Sequence, residues 1–272
     1  MTIQKGIGFL GGGQMAEAII KGLLSKNFLP KNSVMASDPS KVRRDYLENI
    51  YGVRVADSNK DVVDASDVLV LAVKPQVVLS VLDDVREHIT DGHLMISIAA
   101  GIPLATLEMG LPPASRVVRV MPNTPALVGQ GAAAICSGGF VLDGDISLAR
   151  EILGAVGTTV VLHESLMDAV TGLSGSGPAY VFTFIEGLIE AGVREGLARP
   201  IAAELVLQTV LGSVIMCKET GKSPPELTSM VTSPGGTTIE GLHVLEKGAF
   251  RGVLMDAVRA AAARSRELGR KA

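Results

Sequence analysis

The chain has 272 residues, and at about 150 residues per domain that length predicts two domains. Its 25 Lys and Arg against 28 Asp and Glu give a net charge of −3, without the basic surplus of a nucleic-acid binder. The 47 % apolar share excludes disorder, and 3 % aromatic residues with no Trp leave no stacking platform for bases or sugars.

Two cysteines, Cys136 and Cys217, make neither a disulfide framework nor a CxxC metal pair, so a reduced, cytoplasmic protein is expected. The longest uncharged stretch, Val120–Leu142, carries Pro122, Pro125 and four glycines, which is unlike a membrane-spanning helix. The glycine-rich N-terminal run is unlike a signal peptide. Neither membrane nor nucleic acid is an expected partner.

Taken in chain order, the first 163 residues alternate short apolar runs with amphipathic stretches. Strands are predicted at Ile7–Leu10, Val34–Ser37, Val53–Ala56, Asp67–Val73, Leu94–Ala99 and Arg116–Met121. Val128–Ile135 and Thr158–Leu162 are two more, bracketing a helix near Ile146–Val156. Near-continuous apolar runs suit parallel strands covered on both faces. Met15, Ile19, Ile20, Leu23 and Leu24 form one face of the first helix, and Val77, Val78, Val81, Leu82 and Val85 that of a later one. The pattern predicts an α/β class: βαβ units and a parallel sheet in residues 1–163.

From residue 164 to 272 the pattern is helical throughout, with stretches at Leu166–Gly172, Ser176–Gly196, Pro200–Thr220, Pro225–Val231, Thr237–Glu246 and Phe250–Leu268. The second and third of these are apolar around most of their circumference. Such helices need burial, and this short region offers little core, so a second subunit is the expected cover. An all-α dimerisation domain is therefore predicted at 164–272.

Gly11-x-Gly13-x-x-Ala16 follows the first strand and opens the first helix, as in the dinucleotide fingerprint. The first glycine permits a tight turn, the second lets the backbone approach a pyrophosphate, and the small third residue lets helix and strand pack. The helix N-terminus adds free N–H groups and a positive dipole end. The end of the second strand should select the ribose. Asp38 there would bond ribose hydroxyls and favour NAD, whereas Ser37 with Lys41 or Arg43 would accept the phosphate of NADP. The sequence leaves both open.

Three further stretches are more specific: Leu71–Gln76 (Leu-Ala-Val-Lys-Pro-Gln), Met121–Pro125 (Met-Pro-Asn-Thr-Pro), and Gly172–Tyr180 with Ser233–Ile239 (Ser-Pro-Gly-Gly-Thr-Thr-Ile). With the N-terminal Gly-Phe-Leu-Gly-Gly-Gly-Gln-Met-Ala, they closely resemble the Δ1-pyrroline-5-carboxylate reductase family over essentially the whole chain. That resemblance implies reduction of the cyclic imine L-1-pyrroline-5-carboxylate to L-proline by NADPH or NADH. It also implies a Rossmann domain, a helical domain that forms an interwoven homodimer, and dimers that often assemble into decamers.

By motif match, Gly11, Gly12, Gly13, Gln14, Met15 and Ala16 would hold the pyrophosphate, Gly8 would also bind the cofactor, and Ser37 and Asn59 would take the adenosine end. Ala72, Val73, Lys74 and Pro75, with Ala99, Ala100 and Gly101, would line the cofactor nearer the nicotinamide. Substrate would lie against Ser233, Gly235, Gly236, Thr237 and Thr238 of the partner subunit, with Lys74 and Asn123 also lining it. Gln14 and Asp38 depart from common family choices and bear on cofactor preference. The required chemistry suits the Ser233 turn: glycines at a helix start free backbone N–H groups for a carboxylate. Thr238 is the candidate catalytic donor to the ring nitrogen, acting by positioning more than by acid strength.

His88, His93, His163 and His243 are scattered, read as surface or loop residues, and make no metal site. Glu164 and Glu219 carry a weak functional mark. Two rivals remain. A related imine or β-hydroxyacid dehydrogenase would want a lysine in the first long helix of the second domain, where Gly177–Gly196 has only Arg194 as a cation. A catalytically silent nucleotide sensor predicts a decayed Ser233–Thr238 turn, which here is intact.

Overall fold

The structure, a computed structural model, describes residues 3–270. Its strands are β1 (Ile7–Leu10), β2 (Val34–Ser37), β3 (Arg54–Ala56), β4 (Val68–Leu71), β5 (Leu94–Ser97), β6 (Arg116–Met121), β7 (Gly131–Ser137) and β8 (Gly157–Val161). Between them run α1 (Gln14–Ser25), α2 (Lys41–Tyr51), α3 (Asn59–Asp64), α4 (Val78–Val85), α5 (Leu104–Met109) and α6 (Asp143–Gly154). Six further helices follow: α7 (Met167–Val170), α8 (Gly177–Arg194), α9 (Arg199–Thr220), α10 (Pro224–Met230), α11 (Thr237–Lys247) and α12 (Phe250–Gly269).

The eight strands form one sheet in the order β3-β2-β1-β4-β5-β6-β7-β8. β1, β2, β4 and β5 are buried along their whole length, which is why their sequences read as unbroken apolar runs. Two cores flank the sheet, one holding Phe9, Ile19, Leu23 and Ile96, the other Leu10, Leu71, Leu82 and Leu107. Each such side chain contributes roughly 1.5–3 kcal/mol on burial.

β7 differs from expectation. It pairs antiparallel with β6 and begins at Gly131, because Thr124–Val128 is a 3-10 turn ended by Gly129 at φ 73°. Pro125 opens that turn, and the connection is too short for a parallel crossover.

The chain divides into two compact units. The first takes the residues up to Ser176 together with those from Ala260 on; the second is Gly177–Arg259. Strand pattern ends near residue 164, yet the first unit continues through α7 and a π-helical turn, Thr171–Gly175. Met167 is fully buried there, and Ser265 Oγ donates to Asp168 Oδ1 at 2.6 Å. Arg119 Nη1 and the Leu104 N–H both donate to Glu164 Oε1, each at 2.7 Å, so Glu164 ties β6 to the start of α5.

His93 is a loop residue but a buried one, unlike a surface histidine. The Thr90 N–H donates to its Nδ1 at 2.9 Å, and its Nε2 faces the Val63 carbonyl at 3.3 Å. Burial holds its pKa below the ordinary histidine value, so this group favours the fold at neutral pH and loses that contribution as pH falls.

The second unit is helical, and its apolar residues are largely uncovered. Phe182, Leu205, Leu207, Leu211, Val244 and Met255 are all exposed, and α8 buries none of its residues. α9 is long and apolar enough to cross a membrane by length and composition, although almost none of it is buried. Exposed apolar surface on this scale marks an interaction surface.

Candidate functional site

The strand order reverses direction between β1 and β4, the place where open α/β sheets bind ligands at the carboxyl ends of their strands. Register makes those ends level: Leu10 lies beside Ser37 and Leu71, and Leu71 beside Ser97. The Gly11 N–H donates to the Ser37 carbonyl at 3.1 Å, and the Ala72 N–H to the Leu10 carbonyl at 2.9 Å. Thus Gly11, Ala72, Val73 and the Ala99–Gly101 loop share one edge of the first unit.

Gly11 has φ 98°, and a Cβ on it would sit 2.8 Å from the Ala72 carbonyl oxygen and Val73 Cγ1. Gly13 is different: a Cβ there would meet nothing nearer than 3.9 Å. Gly13 is also the N-cap of α1 with no side-chain cap, so the first N–H groups of α1 keep free donor capacity. Gly13 and Gln14 are exposed while Ala16 is fully buried under the sheet. A tight turn, an open backbone and an uncapped helix start fit a dinucleotide pyrophosphate. Gly8 does not join this group. It lies inside β1, where a Cβ would strike Ser66 Oγ at 2.5 Å and Val62 Cγ1 at 2.6 Å, so its smallness serves packing on α3.

Sequence reasoning missed the brace behind the turn. Arg43 Nε donates to the Gly12 carbonyl, Nη2 to the Gly13 carbonyl at 3.3 Å and to Glu17 Oε2 at 2.5 Å. Tyr46 and Tyr51 hydroxyls donate to Glu17 Oε1 at 3.0 and 2.8 Å. Burial alone would raise the Glu17 carboxyl, but the bonds from Arg43, Tyr51 and Tyr46 outweigh it and hold it below the usual range. Burial, with the neighbouring Glu17, pushes the Tyr51 phenol up. No local motif announces this network, because α1 and α2 meet only in the fold.

At the end of β2, Ser37 Oγ donates inward, to Asn59 Oδ1 at 2.7 Å and the Phe9 carbonyl at 3.3 Å. Asp38 accepts from the Gly12 N–H at 3.1 Å and the Ser40 N–H at 2.9 Å.

A cleft of about 540 Å³ opens beside the same edge, lined by Pro75, Ala100 and Gly101 together with Gln76, Thr171 and Ser176. Lys74 is exposed at the β4 end and Gly101 turns at φ 77°. Ser176 lies in the Gly172–Tyr180 motif without an assigned role, and Thr171 lies just ahead of that motif. Asn123 has a structural duty. Its Nδ2 donates to the Ser174 carbonyl at 3.0 Å and its Oδ1 accepts from the Ala132 N–H at 2.8 Å, pinning the π-helical turn to β7. One N–H and one carbonyl lone pair of the amide remain beyond these two bonds.

In the second unit, Ser233–Gly236 is a tight turn closed by the Gly236 N–H on the Ser233 carbonyl at 3.1 Å. Gly235 has φ 66°, and a Cβ on Gly236 would meet Ser233 Oγ at 2.3 Å. Gly236 caps α11 without a side-chain bond. Thr183, Thr209, Thr220, Thr228 and Thr232 each spend their hydroxyl on the carbonyl four residues back. Thr237 and Thr238 open α11 and have no helical carbonyl at that distance, which frees their hydroxyls for a ligand.

Of the cysteines, Cys136 is buried and its thiol is pushed up to about 11 by burial and by Glu164, so it is inert at neutral pH.

Comparison with known proteins adds the family. The profile for pyrroline-5-carboxylate reductase dimerisation matches residues 164–268, covering the helices whose apolar faces stand exposed. The profile for NADP oxidoreductase coenzyme F420-dependent matches residues 6–101. A pyrroline-5-carboxylate reductase from Methanosarcina acetivorans is 48% identical over 265 residues, 97% of this chain and 98% of the relative. The structure of a pyrroline-5-carboxylate reductase from Coxiella burnetii superposes with a TM-score of 0.93 at 37% identity, over 97% of this chain and 98% of that one. A Plasmodium falciparum pyrroline carboxylate reductase with NADP bound gives a TM-score of 0.88 at 37% identity, over 98% of each chain. On full-length identity at this level, the chain belongs to the pyrroline-5-carboxylate reductase family.

Proposed function

We propose that Gly11–Ala16, Ala72–Pro75 and Ala99–Gly101 hold a reduced nicotinamide dinucleotide, and that Ser233–Thr238 grips the carboxylate of L-1-pyrroline-5-carboxylate. The chain is an NAD(P)H-dependent oxidoreductase that reduces the C=N bond of this imine to give L-proline, the last step of proline biosynthesis. The observation that carries the cofactor assignment is the Gly11 cradle ahead of an uncapped α1, at the sheet's switch point. NADH or NADPH supplies the hydride when bound.

The protein's part is orientation and charge. The uncapped start of α11 directs N–H groups at the substrate carboxylate, and the Ser233 and Thr237 hydroxyls add bonds. Thr238 Oγ1 accepts from the N–H of the protonated ring nitrogen and fixes which imine face meets the hydride. A threonine hydroxyl is too weak an acid to deliver the proton outright, so a protonated imine enters with its own. Lys74, exposed at the β4 end, adds positive charge for the carboxylate.

The chain associates through its helical region. We assign the apolar face of α9 to contact between two copies, with the partner lending its Ser233–Thr238 turn. Five such dimers in a decamer are the larger assembly the family resemblance implies. Cys136 and Cys217 are both free thiols, which suits a cytoplasmic setting.

Purified protein given L-1-pyrroline-5-carboxylate should oxidise NADH or NADPH, and should leave 2-keto acids unreduced and 3-hydroxy acids unoxidised. Turnover of a 3-hydroxy acid instead would move the chain to the β-hydroxyacid dehydrogenases. Cofactor binding with no turnover of any substrate would support a nucleotide sensor.

A further inference from the structure

We infer that Asp38 makes this reductase select NADH over NADPH, an inference that rests on the dinucleotide site proposed above. The two Asp38 oxygens each accept one backbone N–H, from Gly12 and Ser40, and Asp38 itself is half-buried against the glycine turn. A carboxylate has about four acceptor positions, so capacity remains for the hydroxyls of a ribose. A 2′-phosphate carries no proton to donate at neutral pH. It would set acceptor against acceptor and like charge against like charge.

The groups that could hold such a phosphate are engaged elsewhere. Ser37 Oγ is buried and donates inward. Lys41 pairs with Asp45 at 2.6 Å, and Lys60 with Asp84 at 3.5 Å. Arg44 Nη1 donates to the Asp38 and Pro39 carbonyls at 2.6 and 3.2 Å. Arg43 spends its guanidinium on the glycine turn and Glu17. Lys41 and Lys60 thus face carboxylates of their own, Arg44 is held on the backbone of Asp38 and Pro39, and Asp38 is the acidic group set against the glycine turn from β2.

Fluorescence titration of the purified protein with each cofactor, without substrate, tests this. NADH should bind about tenfold or more tighter than NADPH. Asp38→Asn, which removes the charge and keeps one acceptor, should close that gap mainly by improving NADPH. Arg43→Ala should weaken both cofactors by a similar factor, since Arg43 braces the turn they share. Equal or tighter NADPH binding by the unaltered protein overturns the inference, as does a selective NADPH loss in Arg43→Ala. Binding of neither cofactor would overturn the dinucleotide site itself, an outcome distinct from a wrong preference.

Discussion

Gly13→Val should keep the protein folded and weaken NADH or NADPH binding by about 100-fold or more, since every 1.4 kcal/mol is tenfold. Gly13 sits at φ −64° and ψ −179°, a conformation open to any residue, and its missing Cβ points to space free to 3.9 Å. A Cβ there meets only the Ala72 carbonyl oxygen, at 3.9 Å, and the valine methyls would occupy the approach to the first N–H groups of α1. Gly11→Val makes the useful contrast. Its φ of 98° and the contacts at 2.8 Å would damage the fold as well as the site. The check is a pair of measurements on Gly13→Val: thermal midpoint, expected near that of the unaltered protein, and cofactor dissociation constant. An unchanged dissociation constant would place the pyrophosphate elsewhere.

Thr238→Ala should reduce kcat by roughly 10- to 100-fold, the worth of one hydrogen bond to a charged group, and leave cofactor affinity close to unchanged. Thr238 stands at the start of α11, in the second unit, while the glycine turn belongs to the first. Thr238→Ser, which keeps the hydroxyl, should recover most of the rate. Pre-steady-state turnover beside a cofactor titration separates the two effects. Equal loss of rate and cofactor affinity would show that Thr238 supports the fold rather than the substrate.

Much of this was legible from residue order. Buried parallel strands leave continuous apolar runs, so β1 and β2 coincide with their expected bounds; β6 does too, although Arg116 and Arg119 interrupt it. The glycine turn was legible because its geometry demands a residue type at each position. Roles set by distant partners were not. Asn123 resembles a site residue in its Pro-flanked motif, yet its amide also bonds Ser174 and Ala132, a structural duty that the motif does not show. Gly8 belongs to the glycine-rich run by sequence and to the packing of Val62 and Ser66 by contact. Arg43 stands in the sequence as one of two options for a 2′-phosphate, and α2 brings it against the Gly12 and Gly13 carbonyls. His93 directly precedes the apolar β5, but its bonds to Thr90 and Val63 are set by the fold. The uncovered helices of the second unit were foreseen, because an apolar circumference with no core to fill can be read from composition alone.

Isotope transfer tests the reaction most directly. Reduced cofactor deuterated at nicotinamide C4, on the transferred face, should yield L-proline with one deuterium on the carbon formerly double-bonded to nitrogen. Cofactor oxidation without proline, or proline lacking that label, would contradict hydride delivery to the imine in this site.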